Sequence, residues 1–211
     1  MYIPPANRID DDASAFRLIS EWAFATLATI RDGAVQMSLL PLIGEARRRV
    51  LRGHFAAANP HGARIDGVRA TALFTGPQGY ISPNWYEDRA RVPTWNYQAV
   101  EVSGFIRVVT APDEVDALLI DLSHHFESRR HDLDQDVEWT IDKLPLAKRE
   151  ALRRGIVAFE LAIEHIEMKA KLGQRDSLPD RDGAIGALLS GDEAQRKLAD
   201  AMRGARAQSG R

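Results

Sequence analysis

Residues 24–43 read FATLATIRDGAVQMSLLPLI, and the reading of this stretch decides the fold. Two apolar runs meet at Asp32 and Gly33, a dipeptide suited to positive φ at both central turn positions, and such a turn joins two antiparallel strands. Strands are therefore predicted over 24–31 and 34–42. Upstream, Asp10, Asp11 and Asp12 form an acidic helix start favoured by the helix dipole, and Phe16, Ile19 and Ala23 follow at helical spacing. A short helix over 13–22 is expected, after residues that Pro4 and Pro5 keep extended.

Downstream, Gly44 and the run Arg47, Arg48, Arg49 predict an exposed turn, followed by strands over 50–55 and 69–75. After Pro93 the run WNYQAVEVSGFIRVV alternates, with Val100, Val102, Ile106 and Val108 on one face and Glu101, Ser103 and Arg107 on the other. Gly104 in mid-strand predicts a bend of the kind that barrels use. Residues 111–127 and 144–154 change to helical spacing. The late run IVAFELAIEHIEMKAKL returns to period two, with Val157, Phe159, Leu161 and Ile163 inward and Glu160 and Glu164 outward, and closes the sheet begun earlier. Two short helical patterns and a basic, alanine-rich end, expected to fray, complete the chain. These elements predict a mainly β, α+β fold built on an antiparallel barrel, with one domain over 1–190 and a helical or frayed tail over 191–211.

Between the middle strands lies GPQGYISPNWYEDRARVPTWNYQAVEVSG, residues 76–104. Pro77, Pro83 and Pro93 predict turns, so Trp85, Trp95, Tyr80, Tyr86 and Tyr97 are displayed from rigid corners. Clustered aromatics of this kind suit a core, a protein interface or a planar heteroaromatic ligand. Basic and amide groups gather in two further places. Arg52, Gly53, His54, Asn59, Pro60 and His61 stand at a strand end and the loop after it, and Lys169, Lys171, Gln174 and Arg175 end the last strand. Arg52, Gly53 and Asn59 have the makings of a phosphate site, charged donors beside a backbone that allows close approach. The alternative is a solvated arginine on an edge strand.

Composition narrows the function classes. The chain has 211 residues, 45% apolar and 27% charged, which suits a globular fold rather than a disordered one. A formal net charge of -2 provides no electrostatic footprint for nucleic acid, so DNA binding has no support from charge. Cysteine is absent, which excludes disulfides and thiol chemistry and leaves any redox role to a bound cofactor. No apolar run is long enough to span a membrane and the first residues lack a signal-peptide pattern, so a cytoplasmic location is expected. Glycine-rich nucleotide loops, a nucleophile elbow and zinc motifs are missing. The histidines at 124, 125 and 131 read as a helix end rather than a metal site, and no catalytic residue is assigned.

The ordered pieces MYIP, FATL, LPL, LRGHFAAANP, FTGPQGYISPNWY, VPTWNYQAVEVSG, IVAFEL and KLGQ resemble the PaiB-like family of FMN-binding negative transcriptional regulators. The resemblance implies a split β-barrel of the pyridoxamine-phosphate-oxidase-like type, forming a homodimer with FMN at the subunit interface. It places cofactor-binding positions on Ser38, Leu40, Arg52, Gly53, His54, Asn59, Trp85, Thr94, Trp95, Asn96, Lys171 and Gln174. In that picture Arg52 and Lys171 neutralise the ribityl phosphate, Ser38 and Thr94 add hydrogen bonds, and Trp95 or Trp85 covers the isoalloxazine ring. The chain departs from the family pattern at Leu39, where a histidine is usual, and at Gly173, where a serine is usual. Three functions follow as expectations: indirect negative regulation of transcription by an FMN-binding homodimer, a flavin-dependent oxidoreductase, or a flavin-free interaction module.

Overall fold

The computed structural model describes residues 1–133 and 137–209, with side chains to residue 205. In chain order its principal elements are β1 (Arg8–Ile9), α1 (Asp12–Glu21), β2 (Phe24–Arg31), β3 (Ala34–Pro41), β4 (Ile43–Glu45), β5 (Val50–Ala56), β6 (Arg69–Ile81), β7 (Thr94–Val109), α2 (Pro112–Glu127), α3 (Leu146–Arg154), β8 (Ile156–Lys171), α4 (Leu178–Leu189) and α5 (Glu193–Ser209). Among the described residues the strands form one eight-stranded sheet, ordered β3-β2-β6-β7-β8-β5-β4, with β1 paired to β8.

The hairpin forms as its turn chemistry requires. Asp32 has φ 52° and Gly33 φ 77°, both positive as the tight primed turn demands. That turn sets an antiparallel register in which Ser38 faces Leu27, Gln36 faces Thr29 and Val35 faces Ile30. Ala25, Leu27, Thr29 and Leu40 are buried, whereas Phe24, Ile30, Val35, Met37 and Leu39 are exposed. Strand alternation thus sends Ala25, Leu27, Thr29, Ser38 and Leu40 to one face and Phe24, Ile30, Val35, Met37 and Leu39 to the other.

The chain divides into two compact units, one of residues 19–74 and 102–166, the other of residues 1–18, 75–101 and 167–211. In the first, Phe55, Phe159, Phe74, Leu27, Leu42, Leu51 and Leu161 are fully buried, with the Phe55 and Phe159 rings 5.1 Å apart. Strand β3 returns to touch β5 there. At that approach a Cβ on Gly53 would stand 2.4 Å from Leu42 Cδ2 and 3.0 Å from the Pro41 carbonyl oxygen, so glycine is what lets the strands close. In the second unit, Ile81, Tyr86, Leu172, Ile185, Leu188 and Leu198 share a core with Ala199 and Met202 of α5.

Several expectations change. Strand β4 contains Gly44, so the arginine turn begins only after it, and β6 runs six residues further than residue 75, to Ile81. Pro77 therefore lies inside a strand; Gly76 and Pro77 are buried in succession, an interruption of alternation that accommodates the missing N–H. In β7 the phase shifts near the end, leaving Val108 half-buried and Val109 buried. Glu160 lies on the face of β8 opposite Phe159 and Leu161, as expected, yet is only 8% exposed, because Arg48 Nη2 at 2.9 Å and Arg107 Nη2 at 2.8 Å donate to it. The C-terminal stretch is helical over Glu193–Ser209; the last two residues of the expected frayed end lie outside the described residues.

Gly104 and Gly186 make a matched test of packing. A Cβ at Gly104 would stand 1.8 Å from the Ala162 carbonyl oxygen, a backbone atom that cannot step aside, whereas one at Gly186 in α4 meets nothing within 4 Å. Urea unfolding should show Gly104→Ala losing about 3 kcal/mol or more and Gly186→Ala gaining about 0.5–1 kcal/mol. Equal effects at the two sites would show that the strand approach is not tight.

Candidate functional site

In the unit of residues 19–74 and 102–166, the inward face of the hairpin meets the loop after β5. Asn59 starts a short 3-10 turn, Pro60–Gly62, and its side-chain oxygen accepts from the His61 N–H at 3.0 Å. Gly62 allows that turn to lie against the Phe55 side chain, which a Cβ would approach to 2.9 Å. His61 is 4% exposed, and its ring stands 5.1 Å from that of Phe55. Both ring nitrogens meet hydroxyls: Nε2 is 2.9 Å from Thr29 Oγ1 and Nδ1 is 2.8 Å from Ser38 Oγ. Asn59 Nδ2 donates to the same Ser38 oxygen at 3.2 Å. Burial, reinforced by the charge of Arg31, lowers the His61 pKa and favours the neutral ring.

Arg31 closes this cluster. Its guanidinium donates to the carbonyl oxygens of Pro60 at 3.3 Å, His61 at 3.4 Å and Ala63. These acceptors are neutral, so its charge is solvated without being cancelled. Arg52 differs. It donates to Asp121 Oδ2 at 2.5 Å, and its Nε lies 3.9 Å from Glu160, beside a cavity of about 330 Å³. Glu160 would be pushed up by burial, but hydrogen bonds from Arg48 and Arg107 hold its pKa below the usual carboxylate range. Of the other expected positions in this unit, Leu40 is buried and Gly53 faces Leu42. His54 has a buried Nδ1 with no partner among the described residues, and burial lowers its pKa.

The second gathering lies in the other unit. Tyr86, Arg91, Thr94, Asn96, Lys171 and Gln174 line a cavity of about 480 Å³. Lys171 donates to Thr94 Oγ1 and to the Trp95 carbonyl oxygen, again neutral acceptors. Gln174 folds back on the end of β8, accepting from the Leu172 N–H at 2.8 Å and donating to the Ala170 carbonyl. Gly173, with φ 74°, makes that turn. Asn96 is buried with its amide 3.6 Å from the Met202 sulfur. The aromatic corner is fixed by Asp180 of α4. Its Oδ1 accepts from the N–H groups of Glu87 at 2.8 Å and Asp88 at 3.1 Å, and its Oδ2 from Arg91 at 3.0 Å. Trp85 is half-buried, its carbonyl so close to Gly183 that a Cβ there would sit 2.2 Å away. Trp95 is 55% exposed and meets Tyr80 edge-on at 6.5 Å.

Sequence reasoning brought Ser38 and Asn59 forward but not Thr29 and Arg31, and it left His61 unassigned. Nothing in the order of residues marks a threonine and an arginine two positions apart on β2 as neighbours of a histidine 32 positions on from Thr29. The hairpin register was the available signal, because it fixes which hydroxyls face inward.

A flavin mononucleotide needs a cation not already neutralised, donors for phosphate oxygens and an apolar surface for its ring. Arg31 with Ser38 and Asn59, and Lys171 with Thr94, meet the first two needs. The exposed Trp95 indole and Tyr80 ring provide apolar surface in their own unit.

Residues 1–165 match the family described as "Putative FMN-binding domain". A relative from Bacillus subtilis (strain 168), "Protease synthase and sporulation protein PAI 2", is 31% identical over 200 residues, which is 93% of this chain and 93% of the relative. Among solved structures, the FAD and heme binding protein from Mycobacterium smegmatis superposes with a TM-score of 0.59 at 18% identity, covering 88% of this chain and 81% of that one. The flavocytochrome Anf3 from Azotobacter vinelandii gives 0.59 at 10% identity, covering 83% and 74%. At such identities these structures speak to fold alone, and the fold is a split β-barrel of the pyridoxamine-phosphate-oxidase-like type. With the family match over most of its length and a relative above 30% identity across nearly all of it, this chain belongs to the PaiB-like family of FMN-binding proteins.

Proposed function

We propose that this protein is a homodimeric FMN-binding protein that restrains gene expression through the state of its flavin, without reading an operator itself. The observation that carries the cofactor reading is Arg31, a cation that among the described residues donates to the carbonyl oxygens of Pro60, His61 and Ala63, in the same loop whose Asn59 amide and His61 ring meet Ser38 Oγ. A phosphate seated there gains charge-assisted hydrogen bonds without having to displace a carboxylate. Arg52 lacks that freedom, since Asp121 already neutralises it. When bound, FMN supplies a reversible electron acceptor, which a chain without cysteine otherwise lacks.

Dimerisation is supported by the outward face of the hairpin. Phe24, Ile30, Val35, Met37 and Leu39 are each at least 59% exposed and lie on one side of two paired strands. An apolar patch of that continuity marks an interface. The regulatory reading rests on family membership, and on the printed name of the Bacillus subtilis relative, which refers to protease synthase and sporulation. A net charge of -2 favours indirect action over binding to the DNA backbone.

Purified protein should carry visible flavin absorbance or take up FMN at about one per chain, and a protein that does neither would favour a flavin-free module. Arg31→Ala should weaken FMN binding by about 10- to 100-fold in a fluorescence titration, whereas Arg52→Ala should change it by less than about threefold. The reverse order would assign the phosphate to Arg52. Met37→Asp combined with Leu39→Asp should reduce the sedimenting species from twice the chain mass to the chain mass. A double variant that still sediments as a dimer would place the interface elsewhere. Rapid bleaching of the bound flavin by NADH or NADPH, with reoxidation in air, would favour the oxidoreductase reading.

A further inference from the structure

The hydrogen bonding around His61 can be counted atom by atom. A neutral imidazole has one N–H and one bare nitrogen, so one of its two hydroxyl partners, Ser38 or Thr29, donates its proton to the ring. An imidazolium has two N–H groups and obliges both hydroxyls to accept. Ser38 Oγ would then accept from Nδ1 and from Asn59 Nδ2, and its own proton would be left for an outside acceptor. Thr29 would likewise release its proton. Gln36 stands directly opposite Thr29 in the β2–β3 register, and its Oε1 is buried with no partner among the described residues. The protein thus holds an acceptor in reserve on the Thr29 side, and a ligand acceptor is what the Ser38 side lacks.

We infer that His61 is the proton-linked element of this anion seat, so that a phosphate monoester bound at Arg31, Ser38 and Asn59 draws a proton from solvent onto the imidazole. This rests on the proposed placement of the FMN phosphate. The charged group facing His61 is Arg31 from β2; the other faces are Thr29 from the same strand, Ser38 from β3, the Asn59 loop and the Phe55 ring from β5. Without an anion, burial and Arg31 keep the ring neutral. A phosphate dianion reverses that balance: it cancels the arginine field, attracts the imidazolium and accepts the proton that Ser38 gives up. His61 is accordingly a positioning residue, which sets whether Ser38 offers a lone pair or a proton to the ligand.

The test is the pH dependence of FMN affinity, with riboflavin, which lacks the phosphate, as the comparison. Over about pH 6 to 9, around the ordinary imidazole range, a proton taken up on binding makes affinity fall as pH rises, by up to about tenfold per pH unit. The second ionisation of the phosphate itself, near about pH 6, has the opposite sign. FMN affinity of the wild-type protein should therefore fall with rising pH, riboflavin affinity should stay level, and His61→Gln should abolish the FMN slope. Calorimetry on the unmodified protein, in buffers of different ionisation enthalpy at a pH where FMN is a dianion, should find up to about one proton taken up per FMN. If FMN is preferred to riboflavin but no proton is taken up, or the slope survives in His61→Gln, the linkage is wrong and the phosphate seat stands. If FMN and riboflavin bind equally well, the seat itself is wrong and the linkage goes with it.

Discussion

Alternation along one two-strand ribbon separates the chemistry of this protein into two faces. Because Asp32 and Gly33 fix the register, Thr29 and Ser38 must point inward while Ile30, Met37 and Leu39 must point outward. A slip of one residue would exchange these sets, burying methionine and leucine where hydroxyls now meet His61. The inward set builds a polar cluster under the Asn59 loop, and the outward set leaves an apolar surface suited to another protein surface. Tight packing maintains the arrangement: Gly53 lets β5 approach the end of β3, and Gly62 lets the loop rest on Phe55.

The charges of the molecule fall into two classes. In each unit arginines are paired with carboxylates: Arg48 and Arg107 meet Glu160 and Arg52 meets Asp121 in one, and Arg91 spans Asp176 and Asp180 in the other. These pairs hold elements in place, as where Asp180 gathers the N–H groups of the loop after β6. Arg31 and Lys171 instead donate to neutral oxygens, which orient a cation and leave its field intact. A cation that is oriented but not neutralised is prepared for an anion at little reorganisation cost. Location near a glycine or an amide in the sequence does not distinguish the two classes. The partner atoms do.

Much of the fold was legible in the sequence because its local signals agreed. The Asp-Gly turn, the alternation of β7 and β8 and the Leu spacing of α2 each specify one element, and the structure has all of them within a residue or two. The misreadings have physical causes. Pro77 reads as a turn between strands, but a local break in alternation carries β6 through it. Glu160 keeps the outward side of β8 that alternation gives it, but its burial there is not legible, because it depends on arginines from two other segments. The polar cluster was only half legible: Asn59 stands out as an amide in the loop after β5 and Ser38 comes from the family resemblance, while the roles of Arg31, Thr29 and His61 depend on contacts between segments about 20 to 30 positions apart. Family resemblance supplied FMN, which no spacing of residues in this chain indicates unaided.

The central claim is that a flavin phosphate is held by an arginine the protein leaves uncancelled, against the hydroxyl and amide that the hairpin and the Asn59 loop bring to it. A crystal structure of the protein grown with FMN tests this most directly. The account predicts phosphate oxygens within hydrogen-bonding distance of the Arg31 guanidinium and Ser38 Oγ, with the Arg52–Asp121 pair intact. A phosphate bound by an Arg52 released from Asp121, with Arg31 still donating only to its carbonyls, would contradict it.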